Sequence, residues 1–209
     1  MSTSFKDRVV QVAIAQAPIY KSVFVDFEYL ICASAFKSRP YFIIAAKEDN
    51  YRHLIGINTS MSASDFFDAC ISSTLTIDDF DFKKKNRTEK EVKGSVRKKI
   101  KVLPLLMGMM TQDLVAQEHF SKNAITCAFA TTDCNYTVGF VDTGKSRPMT
   151  LLSGDELDWS KSTPVDLILR RPSGTDRFDT VMYGNPSILS NYFHTPNEFL
   201  AESLIKYIP

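Results

Sequence analysis

Five short runs rich in β-branched and aromatic residues crowd into the stretch 125–183: Ile125 to Ala130, Tyr136 to Val141, Pro148 to Leu152, Val165 to Arg170 and Phe178 to Tyr183. Turn chemistry separates them, in Asp133-Cys134-Asn135, Thr143-Gly144-Lys145-Ser146 and Pro172-Ser173-Gly174-Thr175-Asp176. Connections this short join antiparallel neighbours, because a parallel pair needs a crossover of a dozen or more residues. The C-terminal half is therefore expected to form an antiparallel sheet.

The N-terminal half reads differently. From Asp7 to Val25, Val10, Ala13, Ile14, Ala17, Tyr20 and Phe24 recur at helical spacing, with Pro18 expected to kink or split the helix. Tyr29 to Ala35 and Tyr41 to Ala46 read as strands joined through Lys37-Ser38-Arg39-Pro40. Ser62 can cap a helix carrying Phe66, Phe67, Cys70 and Ile71, and Leu75 to Phe82 reads as a short strand or an ordered loop. Thr88-Glu89-Lys90-Glu91 has the form of a capping box and opens a basic helix. On it Val92, Val96, Ile100 and Leu103 form the apolar stripe, and Lys90, Lys93, Arg97 and Lys101 share another face. Pro104 is expected to end that helix, with a second helical stretch through Met109, Met110 and Leu114 and a tail holding His119. A last helix, capped near Thr195 with Pro196 in its first turn, would hold Phe199, Leu200, Leu204 and Ile205. Helices first and a meander afterwards predict an α+β fold: an antiparallel sheet with helices packed mainly on one face, in a single domain of 209 residues.

Charge bears on partners only locally. Lys and Arg total 25 against 24 Asp and Glu, so net charge gives no argument for nucleic acid. Between Lys83 and Lys101, however, ten basic residues face only Glu89 and Glu91, which favours a polyanionic partner over a merely solvated helix. Cys32, Cys70, Cys127 and Cys134 form no CxxC pair and read as reduced thiols of a cytoplasmic protein. No secretion signal or membrane span is expected, and no spacing of His, Cys or acids suggests a metal site or another cofactor.

The segment Asn50-Tyr51-Arg52-His53-Leu54-Ile55-Gly56-Ile57 follows the two strand-like runs, and His53 is one of only three histidines. An imidazole beside a guanidinium suits a general base aimed at a phosphate, and suits a structural histidine equally. If the pair lay on a regular strand, only one of the two would reach a site.

Taken in order, His53-Leu54-Ile55-Gly56-Ile57, Asp65-Phe66-Phe67-Asp68-Ala69-Cys70, the Lys-rich helix entering Ile100-Lys101-Val102-Leu103, and Pro148-Met149-Thr150-Leu151-Leu152 resemble one family: the phage barnase/EndoU/colicin/RelE-like nucleases, subgroup four. The resemblance spans roughly Phe27 to Tyr183. It implies a nuclease-like core over 27–183, an N-terminal helical embellishment over 1–26 and a C-terminal helix over 184–209. Two positions depart from it: a small hydroxylated residue is expected where Ile55 stands, and Ser at least as often as Thr at 150. The implied activity is metal-independent RNA cleavage by attack of the ribose 2′-hydroxyl on its phosphate, leaving a 2′,3′-cyclic phosphate, in a toxin, defence or phage-conflict factor. His53 would be the base, Arg52, Arg170 and Arg171 the phosphate clamp, and Thr150 a hydroxyl donor to phosphate or a partner of His53. For the leaving-group acid, Tyr183, His119 and Lys145 qualify by residue type alone. Lys90, Lys93, Arg97 and Lys101 would grip the RNA backbone, or an acidic antitoxin or immunity protein.

Two rivals stand beside this reading. One is a catalytically inactive RNA- or protein-binding module of the same fold. The other is a structural phage protein that assembles through an aromatic surface, suggested by fifteen Phe residues. Fold alone does not separate the three.

Overall fold

Strand β1 (Phe27–Ala33) is buried along nearly its whole length because its alternating side chains feed two different cores. The computed structural model describes residues 4–195 and 197–209. After β1 come β2 (Phe42–Ile44), β3 (Val115–Glu118), the two-residue strands β4 (Ser121–Lys122) and β5 (Ile125–Thr126), β6 (Phe129–Thr132), β7 (Tyr136–Asp142), β8 (Ser146–Ser153), β9 (Ser162–Pro172) and β10 (Thr180–Gly184). Seven of them close on themselves in the order β1-β2-β8-β7-β6-β3-β9, with β9 pairing back onto β1. The long β9 makes this possible. One edge runs beside β1 from Phe27↔Pro172 to Ala33↔Val165, while the other takes β3 at Ser162 to Pro164 and then β10 at Leu167 to Arg170.

The expected antiparallel meander is present at β6-β7-β8. The sheet as a whole departs from expectation: it closes into a barrel, and β2 meets β8 in parallel through Ile44↔Ser146. β3, which supplies the link between β6 and β9, falls where a helix tail was expected. His119 follows it with φ 54° and donates its N–H to the Ala128 carbonyl at 2.7 Å, turning the chain into the β4–β5 hairpin.

Helix α1 (Phe5–Tyr20) is opened by a Ser4–Asp7 capping box and runs through Pro18 before a π-helical turn, Lys21–Val25. Neither Pro18 nor Pro104 ends its helix: the chain continues past Pro18 into the π-helical turn, where the regular ladder changes, and α4 runs two residues beyond Pro104. Helix α2 (Asn50–Ile55) contains the Arg52-His53 pair, α3 (Ala63–Ile71) is capped by Ser62, and α4 (Glu89–Leu106) by the Thr88–Glu91 capping box. The stretch from Leu75 to Phe82 is an ordered loop tied back by Asn58↔Asp81. Val9, Ala13 and Tyr20 of α1, Phe66 and Phe67 of α3, and Val96 and Leu103 of α4 share one core with Ile31, Phe129, Val138 and Leu151 of the sheet.

The opposite face of β1 and β9, with Leu30, Cys32, Leu167 and Leu169, is covered by Phe178, Leu189, Phe193, Leu200 and Leu204. These come from the C-terminal segment with its four-residue helices α5 (Leu189–Tyr192) and α6 (Glu202–Ile205). Helical cover therefore reaches both faces. The expected single last helix is shorter than predicted: Phe199 and Leu200 lie in a turn that pairs with Phe178, and Pro196 lies outside the described residues. No Phe is exposed, so the Phe content fills cores and makes no aromatic assembly surface. All four cysteines are free, three of them buried and Cys134 exposed. No helix among the described residues is long and apolar enough to cross a membrane.

The β1–β9 ladder carries a buried ion pair. Arg171 donates through Nε at 2.9 Å and Nη2 at 2.6 Å to Glu28, reaches the Asp176 carbonyl through Nη1, and lies over the Phe178 ring. Removing one member of such a pair strands the other charge away from water. Arg171→Ala is therefore expected to cost about 3–5 kcal/mol of folding stability. Urea denaturation would read this directly, and a loss near zero would show that Glu28 is rescued by Lys145, its second partner at 2.5 Å.

Candidate functional site

The backbone after His53 is shaped by a glycine. Gly56 ends α2 in the left-handed region at φ 83°, with its N–H donated to the Arg52 carbonyl. A Cβ there would stand 3.0 Å from Cδ and 3.2 Å from Nζ of Lys99. The bare glycine lets the Lys99 side chain cross the end of α2, where its Nζ donates to the His53 carbonyl at 2.8 Å.

Around this crossing lies a cavity of about 580 Å³, lined by Arg52, His53, Lys84, Lys99, Met149 and Thr150 together with the hairpin residues Ala124 to Thr126. No Asp or Glu among the described residues lines it, so the charged groups on its wall are all cationic. Arg52 and His53 both reach it because adjacent residues on a helix are about 100° apart, whereas on a strand they would oppose each other. Arg52 is held by donation to the Met61 carbonyl at 2.7 Å. Ile55 is fully buried in the core, so the departure from a hydroxylated residue removes nothing from the cavity.

Sheet irregularity delivers the other wall. Gly139 faces Thr150 but Phe140 faces Pro148, which leaves Met149 unpaired in a β-bulge with its side chain 44% exposed at the cavity. Thr150 is buried, and no described residue hydrogen-bonds its hydroxyl. Its place depends on Gly139, where a Cβ would come within 2.6 Å of Cys127 Sγ and 3.0 Å of Thr150 Cγ2.

Crowded cations shift one another's protonation. Desolvation, then Arg52, Lys99 and Lys84, push His53 below its ordinary value against the opposing pull of Asp49. Desolvation is also the main cause of the low value of Lys84, followed by Arg87 and Arg52. Lys99 is pushed down to about 7 by desolvation, with Lys84 and Arg87 adding to it.

The predicted site residues thus divide. Arg52, His53 and Thr150 meet at one cavity. Arg170 lies over the Phe27 ring and Arg171 is engaged with Glu28, both on β9 and neither lining the cavity. Among the acids considered, Tyr183 donates to Asp113, Lys145 pairs with Glu28, and His119 sits in its turn, none of them at the cavity. Lys90, Lys93, Arg97 and Lys101 occupy the outer face of α4. Lys93 pairs with Glu89 and stacks over Phe82, Arg97 stacks over Phe5, and Lys101 borders a shallow cleft against α1. Lys99 follows Lys90 by nine residues, about half a turn away around the helix, so that stripe faces away from the cavity.

Lys99 and Lys84 are the residues that sequence reasoning did not single out. Lys99 had a legible signal, because at about 100° per residue it emerges about 20° from Val92, at the border of the apolar stripe and away from the other lysines. No cluster of His, Cys, Asp and Glu that could hold a metal occurs among the described residues.

The depressed Lys99 predicts a stability signature. Its folded value of about 7 lies below the ordinary 10.5; between the two the unfolded chain binds more protons, and this group's contribution to stability rises with pH. The penalty is in full force below about 7. Lys99→Met is expected to stabilise the protein most at about pH 6, with the advantage fading toward pH 10. Denaturation of both proteins at the two pH values tests this, and a pH-independent difference would mean that Lys99 titrates normally.

No curated protein and no solved structure matches the chain. A family model does, described as phage-Barnase-EndoU-ColicinE5/D-RelE like nuclease4, over residues 13–170. That span begins within α1, ends within β9, and includes every residue lining the cationic cavity. With well over half of its length inside that match, the chain belongs to the phage-Barnase-EndoU-ColicinE5/D-RelE like nuclease family.

Proposed function

We propose that the protein is a metal-independent endoribonuclease that cleaves RNA by 2′-hydroxyl attack on the adjacent phosphate, with the cationic cavity as its active site. The observation that carries this is the convergence of a guanidinium, an imidazole and two amines on one cavity without a carboxylate. Such a set attracts a phosphodiester and stabilises the extra negative charge of the phosphorane.

Roles follow from protonation. His53, held below its usual value, is neutral near pH 7 and suited to take the 2′-hydroxyl proton. Lys99 still carries protons in the same range and has two N–H bonds left after its donation to the His53 carbonyl. It is suited to protonate the departing 5′-oxygen. Arg52 and Lys84 would hold the phosphate oxygens, and the Thr150 hydroxyl would donate to one of them. Arg170 and Arg171 have no part in this version. The outer stripe of Lys90, Lys93, Arg97 and Lys101 would attract a polyanion from a distance rather than hold the scissile phosphate. The word phage in the family's description supports a part in conflict between phage and bacterial host, acting in the cytoplasm as a toxin or defence factor, with an acidic antitoxin as a partner for the same stripe.

Purified protein in EDTA is expected to cut RNA and leave 2′,3′-cyclic phosphates. His53→Ala and Lys99→Met should each lower the rate by about 10²–10⁴-fold, the range for a general acid or base. The rate should rise through the low His53 value and fall as Lys99 loses its proton, near pH 7 for kcat/KM in the free enzyme. A bound phosphate pulls the lysine upward, so the alkaline limb of kcat should lie higher. Folded wild-type protein that leaves RNA intact would overturn the nuclease reading and favour the inactive binding module.

A further inference from the structure

We infer that the cationic cavity is one station on a longer groove that takes a single RNA strand of several nucleotides, continuing from Thr150 along β8 toward Ser153 over Arg87 and Lys98. The inference rests on the reading of that cavity as an RNA phosphate site.

A second cavity of about 410 Å³ adjoins the first, and Lys99 lines both. The two share their walls. β8 contributes Met149 and Thr150 to the first and Leu151 to Ser153 to the second, while the β4–β5 hairpin contributes Ala124 to Thr126 and then Lys122 and Asn123. α4 runs along the other side. A tight turn feeds cations to both: Arg87 donates its N–H to the Lys84 carbonyl at 3.2 Å, with Asn86 at φ 61° between them. Lys84 then lines the first cavity and Arg87 the second.

The second cavity has four cations against two carboxylates, and both carboxylates are engaged. Glu91 accepts from the Thr88 N–H at 2.6 Å and hydroxyl at 2.8 Å in the capping box, and Glu156 is paired with Lys122. Arg87 spends one N–H on a 3.3 Å contact to the Glu91 carbonyl, and Lys98 has no ion-pair or hydrogen-bond partner among the described residues. Lys84 at the first cavity, Lys99 at both, and Arg87 and Lys98 at the second spread the cations over two adjoining cavities, which suits a chain of phosphates better than an isolated anion. β8 and the β4–β5 hairpin line one side and α4 the other, the two-walled form that suits a single strand. No Phe, Tyr or Trp among the described residues lines either cavity, so affinity should be chiefly electrostatic, and its salt dependence is the proper readout.

The test uses an uncleavable, fluorescent 2′-O-methyl oligoribonucleotide and anisotropy over a range of salt. Removing Arg87 and Lys98 together as alanines is expected to weaken binding on the order of tenfold and to lower the slope of log affinity against log salt by about 0.7 per cation. Removing Lys93 and Arg97 from the outer face should cost less. Equal losses from the two pairs, tighter binding of duplex RNA, or no binding by the wild-type protein would each overturn the groove. Binding that depends on Arg87 and Lys98 in a protein that cuts no RNA would sink the nuclease and leave the groove standing.

Discussion

Closure of the sheet by the β1–β9 ladder is the constraint on which the rest of the molecule depends. It joins a strand near the start of the chain to one some 140 positions later, with Arg171 and Glu28 buried together at the seam. Because β1 is covered on both faces, the same ladder fixes the position of the α1–α4 core on one side and of the C-terminal segment on the other. A long-range pairing of this kind closes a large loop before its contacts are rewarded, which places much of the fold's specificity in one register.

The cavity runs against the economy of the rest of the structure. At the barrel seam the buried charges Glu28 and Arg171 are paired, whereas here Arg52, Lys84 and Lys99 converge with His53 and no carboxylate. Burying amines there and crowding them with other cations destabilises the folded chain, and the depressed Lys84 and Lys99 values express that cost, desolvation first and the neighbouring cations second. Rigid supports hold it in place: a left-handed Gly56 under Lys99, a capped α4, and a bulge at Met149 braced by Gly139. An anion bound there would relieve that cost.

Part of the candidate cavity was legible from residue order. His53, Gly56 and Thr150 belong to segments that stand out in the chain, and the Thr88 capping box sets the start of α4 and hence the phase at which each lysine emerges. Arg170 and Arg171 show the opposite case. Two arginines at a strand end look like a phosphate clamp, and only their neighbours Phe27 and Glu28, far away in sequence, reveal that they are engaged in the barrel seam.

What the sequence determined by itself was the local record: caps, apolar stripes, strand runs in 125–183 and the family to which the chain belongs, all of which depend on residues within a turn or two of each other. Tertiary structure decided the rest. Whether the sheet opened or closed depended on β3, whose short run has no local signature strong enough to outvote a helix tail. Which of the ten cations between Lys83 and Lys101 line the cavity depended on tertiary contacts, since Lys99 reaches it by crossing the end of α2 at Gly56 and Lys84 reaches it from the turn before α4. Charge count is a property of composition, but the field in a cavity is set by which side chains the backbone turns toward each other.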